Sequence, residues 1–555
     1  MNSNIAFIDT EVSAVTDQIL DIGLVRGDDL RFHGNDVNQV NRLLEKVRYL
    51  VGHNIHEFDG KYLNRFLERP EQFVFIDTLF LSPLLFPKKP YHKLVKDDRL
   101  QSDELNNPLN DAIRSRHLFE DEIDAFRVLS DNLKQIYFQL LGSTNEFSGF
   151  FQYLNFDVQP SNNLVGLIQK EFNRQICYHC NLNDLVAQYP IELAYCLALI
   201  NTQDTFSITP NWVRHRFPEI DSVLRQLRYN PCEFSCDYCR EYLSIHRNLQ
   251  KYFGYTNFRL YDGEPLQEQT VQAAVKGDSL LAIFPTGGGK SLTFQLPALI
   301  EGDLSGSLTV VISPLQSLMK DQVDNLRKKD LIQAVAINGL LNPIERAEAL
   351  QCIADGRAKI LYLSPEQLRS NTIERLLTKR LITRFVIDEA HCFSAWGHDF
   401  RVDYLYIGPF IRKLIEHNVF RNKIAVSCFT ATAKQKVIAD ICDYFRNHLS
   451  IELKHFTSSA QRKNLSYQVL NKESDEEKYQ TIRDLLDQFR CPTIIYTATT
   501  DSTEKLAHKL SEDGFPALPY HGKMESETKV NNQNQFISGN INTIVATTAF
   551  GVCCK

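Results

Sequence analysis

The chain of 555 residues carries a formal net charge of −7, which is long enough for several domains with separate cores and too acidic for nucleic-acid binding to be more than a local patch. No apolar run approaches the roughly 18–20 residues of a membrane span, and the first residues, Met1 to Asp9, lack a basic region followed by an apolar one. Thirteen scattered cysteines speak against a disulfide framework. The expectation is a soluble, intracellular, cytoplasmic protein with no membrane partner.

Ile5 to Ile8 reads as a strand running into Asp9-Thr10-Glu11, and strand alternation puts Asp9 and Glu11 on one face. Two carboxylates aimed at one point repel unless a cation lies between them. Divalent oxygen-binding ions such as Mg2+ or Mn2+ are the natural occupants. Asp59 closes the segment Val51-Gly52-His53-Asn54-Ile55-His56-Glu57-Phe58-Asp59, and Asp111 opens an amphipathic helix expected after Pro108. A lone acid is ordinarily a solvated charge or a helix cap. Four in this order resemble the ribonuclease H-like 3′→5′ exonuclease family with its four acidic metal ligands. The D-x-E pair matches Asp9 and Glu11, the N-x-x-x-F-D segment matches Asn54, Phe58 and Asp59, and the last acid matches Asp111. The resemblance implies an exonuclease-like domain over residues 1–130 in which two metal ions clamp an in-line attack of water on a terminal phosphodiester. Where that family places a general-base histidine, five positions before the last acid, stands Asn106, which takes no proton near neutral pH. His92, in an expected loop, is the substitute candidate.

Residues 131–250 read as helical, with apolar residues at three- and four-residue spacing from Ile123 to Leu141 and from Pro190 to Ile200. Cys232-x-x-x-Cys236-x-x-Cys239 follows Pro231, and Cys177-x-x-Cys180 precedes it in an expected helix. Cysteines this close suit Zn2+ or an iron–sulfur cluster, with Cys177 or Cys180 as fourth ligand. Free buried thiols are the bland alternative. The radical S-adenosylmethionine spacing is also met, without the barrel that would support it.

From residue 251 the pattern changes to strands alternating with helices, the signature of a parallel sheet whose ligands gather at the carboxyl ends of the strands. Tyr255, Arg259 and Gln267 lie just upstream of a phosphate-type loop, where an aromatic ring and an amide can sandwich and read adenine. Leu280 to Phe284 is the length of a buried strand, and Thr286-Gly287-Gly288-Gly289-Lys290-Ser291 follows. Glycines let backbone N–H groups curl toward phosphates, and the helix that follows adds its dipole. Lys290 then reaches the β- and γ-phosphates and Ser291 holds Mg2+. Phe284 occupies the position of the usual first glycine. Three further strand-like runs, Leu308 to Ser313, Ile360 to Leu363 and Phe385 to Ile387, end in Pro314-Leu315, Ser364-Pro365-Glu366 and Asp388-Glu389-Ala390-His391; Ile424 to Phe429 leads to Thr430-Ala431-Thr432. Asp388 would hold Mg2+, Glu389 would orient the attacking water, and His391 would relay nucleotide state.

These pieces in this order resemble superfamily 2 helicases. Ala390-His391-Cys392-Phe393-Ser394-Ala395-Trp396-Gly397-His398-Asp399-Phe400-Arg401 narrows the resemblance to RecQ-type DNA helicases. It implies ATP-dependent 3′→5′ unwinding in DNA repair or recombination, with single-stranded and duplex DNA as partners. It also implies an aromatic-rich loop in which Phe393, Trp396 and Phe400 stack on bases, with His398 beside them and Arg401 on a phosphate.

Thr493 to Tyr496, Ala517 to Tyr520 and Thr543 to Ala546 read as the start of a second similar sheet, and Tyr520-His521-Gly522 and Ala546-Thr547-Thr548-Ala549-Phe550-Gly551 continue the resemblance. Val552-Cys553-Cys554-Lys555 departs from it. The arginine-bearing motif expected later, which contributes about 10³–10⁵ in rate in related systems, is not in the sequence, so a truncated second half is expected. The fold expected is α/β: a ribonuclease H-like exonuclease domain (1–130), a helical cysteine-containing region (131–250), a RecA-like parallel-sheet ATPase domain (251–455) and an incomplete second RecA-like domain (456–555). Two other readings stay open, a fragment that binds ATP and DNA without unwinding, and a protein whose main activity is the nuclease.

Overall fold

The computed structural model describes residues 4–13, 16, 18–27, 29–88, 107–157, 163–203, 207–230, 232, 235–285, 287–339, 341–394, 402–417, 424–431, 434–458, 466–548 and 550. His92, Asn106, Thr286, Thr432 and the segment 395–401 lie outside them. The chain divides into two compact units, one built on Met1–Leu243 and the other on Ser244–Asp303, Ser307–Asn418 and Lys423–Lys555. Among the described residues no helix is long and apolar enough to cross a membrane.

In the first unit, strands β1 (Ile5–Val12), β2 (Ile19–Arg26) and β3 (Leu30–Gly34) form an antiparallel meander, and β4 (Tyr49–Gly52) and β5 (Val74–Asp77) add in parallel on the far side of β1. The order is β3-β2-β1-β4-β5. Ile5 and Phe7 enter one core with Phe119 and Ile123, whereas Ala6 and Ile8 enter another with Ile55 and Leu63. Burial on both faces is why β1 opens on an unbroken apolar run instead of alternating.

The helix Pro108–Arg127 lies on the Phe7 face. Pro108 occupies its first turn, and Asn107 caps it by accepting from the Leu109 N–H at 3.0 Å. A glycine makes this seating possible. Gly23 pairs with Asp9 across β1 and β2, and a Cβ there would come within 2.0 Å of the Pro108 carbonyl carbon. Directly opposed residues of an antiparallel pair point to the same face, so Asp9 points to the face on which this helix starts.

The helical run from Ile123 to Leu141 falls in two helices, Pro108–Arg127 and Asp131–Leu141, because Ser130 caps the second by accepting from the Leu133 N–H at 3.1 Å. The core on this face runs from Ile5 to Leu227 and crosses the boundary expected at residue 130, so the helices after it complete the first layer's burial.

The second unit holds a seven-stranded parallel sheet of β6 (Leu280–Ile283), β7 (Leu308–Ile312), β8 (Ala334–Ile337), β9 (Ile360–Leu363), β10 (Ile382–Ile387), β11 (Ala425–Thr430) and β12 (Lys454–Thr457), in the order β12-β6-β11-β10-β7-β9-β8. A three-stranded parallel sheet comes after it in the chain, β13 (Thr493–Tyr496), β14 (Ala517–Tyr520) and β15 (Thr543–Ala546), with β15 central. In the larger sheet β6, β11 and β10 are neighbours, so their carboxyl ends adjoin and the polar residues beyond them are brought together.

Candidate nucleotide-binding site

Gly287 and Gly289 take φ values of 72° and 83°, a region that side chains with a Cβ rarely adopt. The loop they form is braced from outside. Gln267 Nε2 donates to the Gly289 carbonyl at 3.1 Å, Arg259 Nη1 donates to the Gly287 carbonyl at 2.6 Å, and the Tyr261 hydroxyl donates to the Gly288 carbonyl. Gln267 Oε1 in turn accepts from the Arg259 N–H at 2.8 Å. Phe284, at the position of the usual first glycine, stacks on Tyr261 with ring centroids 4.6 Å apart and planes at 18°. Tyr261 is a site residue that sequence reading misses; only its place between Arg259 and Gln267 hints at it. Tyr255 is partly exposed, stacks on Phe253 and has Lys329 Nζ 5.1 Å above its ring.

Lys290 is the first residue of the helix Lys290–Ser305, with Ser291 beside it. Its Nζ lies 3.6 Å from Glu389 Oε1, Glu389 Oε2 lies 3.2 Å from His391 Nδ1, and that nitrogen lies 3.2 Å from Thr430 Oγ1. Thus β6, β10 and β11 each deliver one part of a continuous polar chain. Glu389 sits at φ 49°, outside the usual range for a residue with a side chain, and its N–H donates to Asp388 Oδ1 at 3.0 Å. The Tyr404 hydroxyl, also unforeseen, donates to the Asp388 carbonyl at 2.9 Å.

Burial and the adjacent Glu389 charge push the Asp388 carboxyl up to about 6. Burial acts the same way on Glu389, but the His391 hydrogen bond and the Lys290 charge outweigh it and hold that carboxyl below its usual value. Glu389 is therefore ionised at neutral pH. Asp388 is a buried acid beside a second negative charge, a donor that a hard cation fits.

Phe393 corrects the expectation of a stacking residue. Its ring is buried, 4.5 Å from Tyr444 and 5.3 Å from Tyr404, as part of the core that includes Phe445. Trp396, His398, Phe400 and Arg401 fall in the segment outside the described residues.

In the first unit the four acids do not close on one point: among the described residues they give no group of three ligand atoms within 4.8 Å of one another. Asp59 Oδ1 accepts from the Thr10 N–H at 2.9 Å and hydroxyl at 2.6 Å, and Asp111 Oδ1 pairs with Arg114 at 3.2 Å. Burial pushes Asp59 up to about 7 and Asp77 up to about 6, and lowers His56. The folded-state pKa of Asp59 lies above the unfolded value of 3.8. Its contribution to stability is therefore full below that value and is lost as pH rises toward about 7. Asp77 acts in the same direction, and His56, held neutral, acts oppositely. In Asp59→Asn, with chelator present, the stability of the first unit should change less between pH 4 and 7 than in the parent. Hydrogen exchange of β1 and β4 in urea would measure this, and an unchanged slope would contradict it.

Within the region expected to be helical, Cys177 and Cys180 lie in a turn between the helices Leu164–Glu171 and Leu182–Gln188. The sulfurs of Cys177, Cys232, Cys236 and Cys239 lie within 4.8 Å of one another, and Cys180 is not of this set.

Residues 264–441 match the DEAD/DEAH box helicase family, and residues 477–554 match the helicase conserved C-terminal domain. The probable ATP-dependent DNA helicase RecS of Bacillus subtilis (strain 168) is 36% identical over 312 residues, 56% of this chain and 58% of that protein. ATP-dependent DNA helicase Q5 of Rattus norvegicus is 35% identical over 337 residues, 58% of this chain and 33% of that protein. ATP-dependent DNA helicase RecQ of Haemophilus influenzae (strain ATCC 51907 / DSM 11121 / KW20 / Rd) is 35% identical over 309 residues, 55% of this chain and 46% of that protein. The chain thus spans from a third to about three fifths of the length of these relatives. With the Gly-rich loop and the Asp388-Glu389-Ala390-His391 strand end in place, residues 264–441 and 477–554 are similar to the two domains of helicases, and DNA helicases of the RecQ name are among the relatives they match.

Proposed function

We propose that the chain is an ATP-driven DNA helicase that moves 3′→5′ along single-stranded DNA and separates duplexes, as DNA repair and recombination require. The observation that carries this reading is the chain Lys290–Glu389–His391–Thr430, delivered by three adjacent strand ends. Backbone N–H groups of Gly287 and Gly289 and the helix N-terminus cradle phosphates, and Lys290 meets the transferred one. Ser291 and Asp388 would hold Mg2+, which would neutralise charge on the phosphates. Glu389, kept anionic and fixed between Lys290 and His391, orients the attacking water and takes its proton. Arg259, Gln267 and Tyr255 serve the base side of the nucleotide, the first two through the loop they brace. The His391–Thr430 contact couples this site to the aromatic-rich segment that includes Trp396, His398, Phe400 and Arg401, where DNA stacks. With ATP, the chain should unwind a duplex with a 3′ single-stranded tail and leave one with a 5′ tail intact. Equal unwinding of both, or of neither, would contradict the reading.

A second activity is favoured by a separate observation. The sheet order β3-β2-β1-β4-β5 carries Asp9 and Glu11 at the end of its central strand, and Gly23 admits the helix bearing Asp111 onto the face of Asp9. This arrangement supports a metal-dependent 3′→5′ exonuclease in which bound Mg2+ or Mn2+ would draw Asp9, Glu11, Asp59 and Asp111 together. Mn2+-dependent digestion from a 3′ end should be present in the parent and lost in Asp9→Ala; digestion that survives the substitution belongs to something else.

A further inference from the structure

The cysteine cluster of the first unit has no part in the helicase or nuclease readings. Cys232, Cys236 and Cys239 come from one short segment and Cys177 from a turn 59 positions before Cys236, with the two sulfurs 3.9 Å apart. All four sulfurs lie within 4.8 Å of one another, Cys177 and Cys239 buried and Cys232 and Cys236 half-buried. Both segments are moored to the end of the helix Ile220–Arg228: the Cys177 N–H donates to the Leu227 carbonyl at 2.7 Å, and the Tyr238 hydroxyl donates to the Arg228 carbonyl at 2.9 Å. Ser235, at φ 50°, turns the chain so that the Cys236 N–H donates to Cys232 Sγ at 3.3 Å. A thiol sulfur is a weak acceptor, so a backbone donor aimed at the Cys232 sulfur suits a thiolate.

We propose that Cys177, Cys232, Cys236 and Cys239 bind one structural Zn2+ in a closed tetrahedral site. Sulfur spacing decides between a single tetrahedral ion and an iron–sulfur cluster, and elemental analysis then decides the ion. With a Zn–S distance of about 2.3 Å, the edge of the tetrahedron is about 3.8 Å, which matches the Cys177–Cys236 separation and falls inside the limit on the rest. An iron–sulfur cubane interposes iron and sulfide between cysteine sulfurs and holds them farther apart. Cys180, outside the group, is not a ligand. The ion fastens the segment Cys232–Cys239 to the body of the first unit just before the chain enters the second.

The test is elemental analysis of the purified full chain, with free thiols counted before and after a mercurial displaces metal. The expected result is about one zinc per chain, no iron, and four thiols that become reactive as zinc leaves. Refolding or exchange with Co2+ should give the intense visible bands of a tetrahedral thiolate site. Cys177→Ser and Cys239→Ser should each lose most of the zinc, and Cys180→Ser should keep it. Iron with cluster absorbance would overturn the proposal, as would four reactive thiols in a zinc-free parent, or zinc retained in full by Cys177→Ser. The measurements on the parent stand even if a cysteine variant does not fold.

Discussion

Glu389→Gln lowers the steady-state rate of ATP hydrolysis by about 10²–10⁴-fold while nucleotide affinity changes little. The substitution keeps the size and the φ 49° backbone tolerance of the side chain and removes only its charge. That charge is what the site is arranged to preserve. Burial raises the Glu389 carboxyl, but His391 at 3.2 Å and Lys290 at 3.6 Å outweigh it and hold the group below its usual value. An amide in its place still accepts a hydrogen bond yet takes no proton from water, so binding survives and turnover does not. The split appears as a fallen kcat with a nearly unchanged Kd for a nucleotide analogue. A variant within about tenfold of the parent rate would remove Glu389 from the chemistry.

Arg214→Ala destabilises the first unit by about 3–5 kcal/mol. Arg214, in the helix Asn211–Arg216, and Asp221, in the helix Ile220–Arg228, are both fully buried, with Nε 3.2 Å from Oδ1. Removing the cation strands the Asp221 carboxylate in a core that includes Val213, Phe217 and Leu224. Replacing both partners with leucine leaves no orphaned charge and should recover much of the loss. Hydrogen exchange of the full chain in urea, followed in these two helices, separates this unit from the second. A loss of less than about 1 kcal/mol for Arg214→Ala would mean that the pair is solvated in use.

The helicase-like region is legible in sequence because each of its parts combines a short apolar strand with a polar end. The runs at 280, 308, 360, 493, 517 and 543 correspond closely to β6, β7, β9, β13, β14 and β15. Where the pattern breaks, so does the reading. β10 starts at Ile382, three residues before the apolar run Phe385–Ile387, because Thr383 and Arg384 are buried. The Arg384 guanidinium donates to the Ala274 and Asp278 carbonyls and to Ser427 Oγ at 2.7–2.9 Å, partners that only the tertiary structure supplies. The edge strand β12, Lys454–Thr457, is largely exposed and carries no apolar alternation. The loop braces are equally hidden: Gln267 and Arg259 stand out by position, but that they hold the carbonyls of Gly289 and Gly287 depends on how the chain returns upon itself. Phe393 looks like an exposed aromatic in sequence because polar neighbours surround it; its burial follows from Tyr404 and Tyr444, which pack on it from elsewhere in the chain. In the cysteine cluster, spacing supplies three ligands, and the choice of Cys177 over Cys180 needs the turn that separates them.

If the Lys290–Glu389–His391–Thr430 chain works an ATP-driven motor on DNA, hydrolysis must depend on both the lysine and the nucleic acid. Steady-state ATP hydrolysis with and without single-stranded DNA, in the parent and in Lys290→Ala, tests this most directly. The predicted result is turnover that DNA stimulates and that Lys290→Ala abolishes. Turnover in the parent no higher than in Lys290→Ala, despite measurable nucleotide binding, would contradict the motor and leave this chain a binder of ATP and DNA.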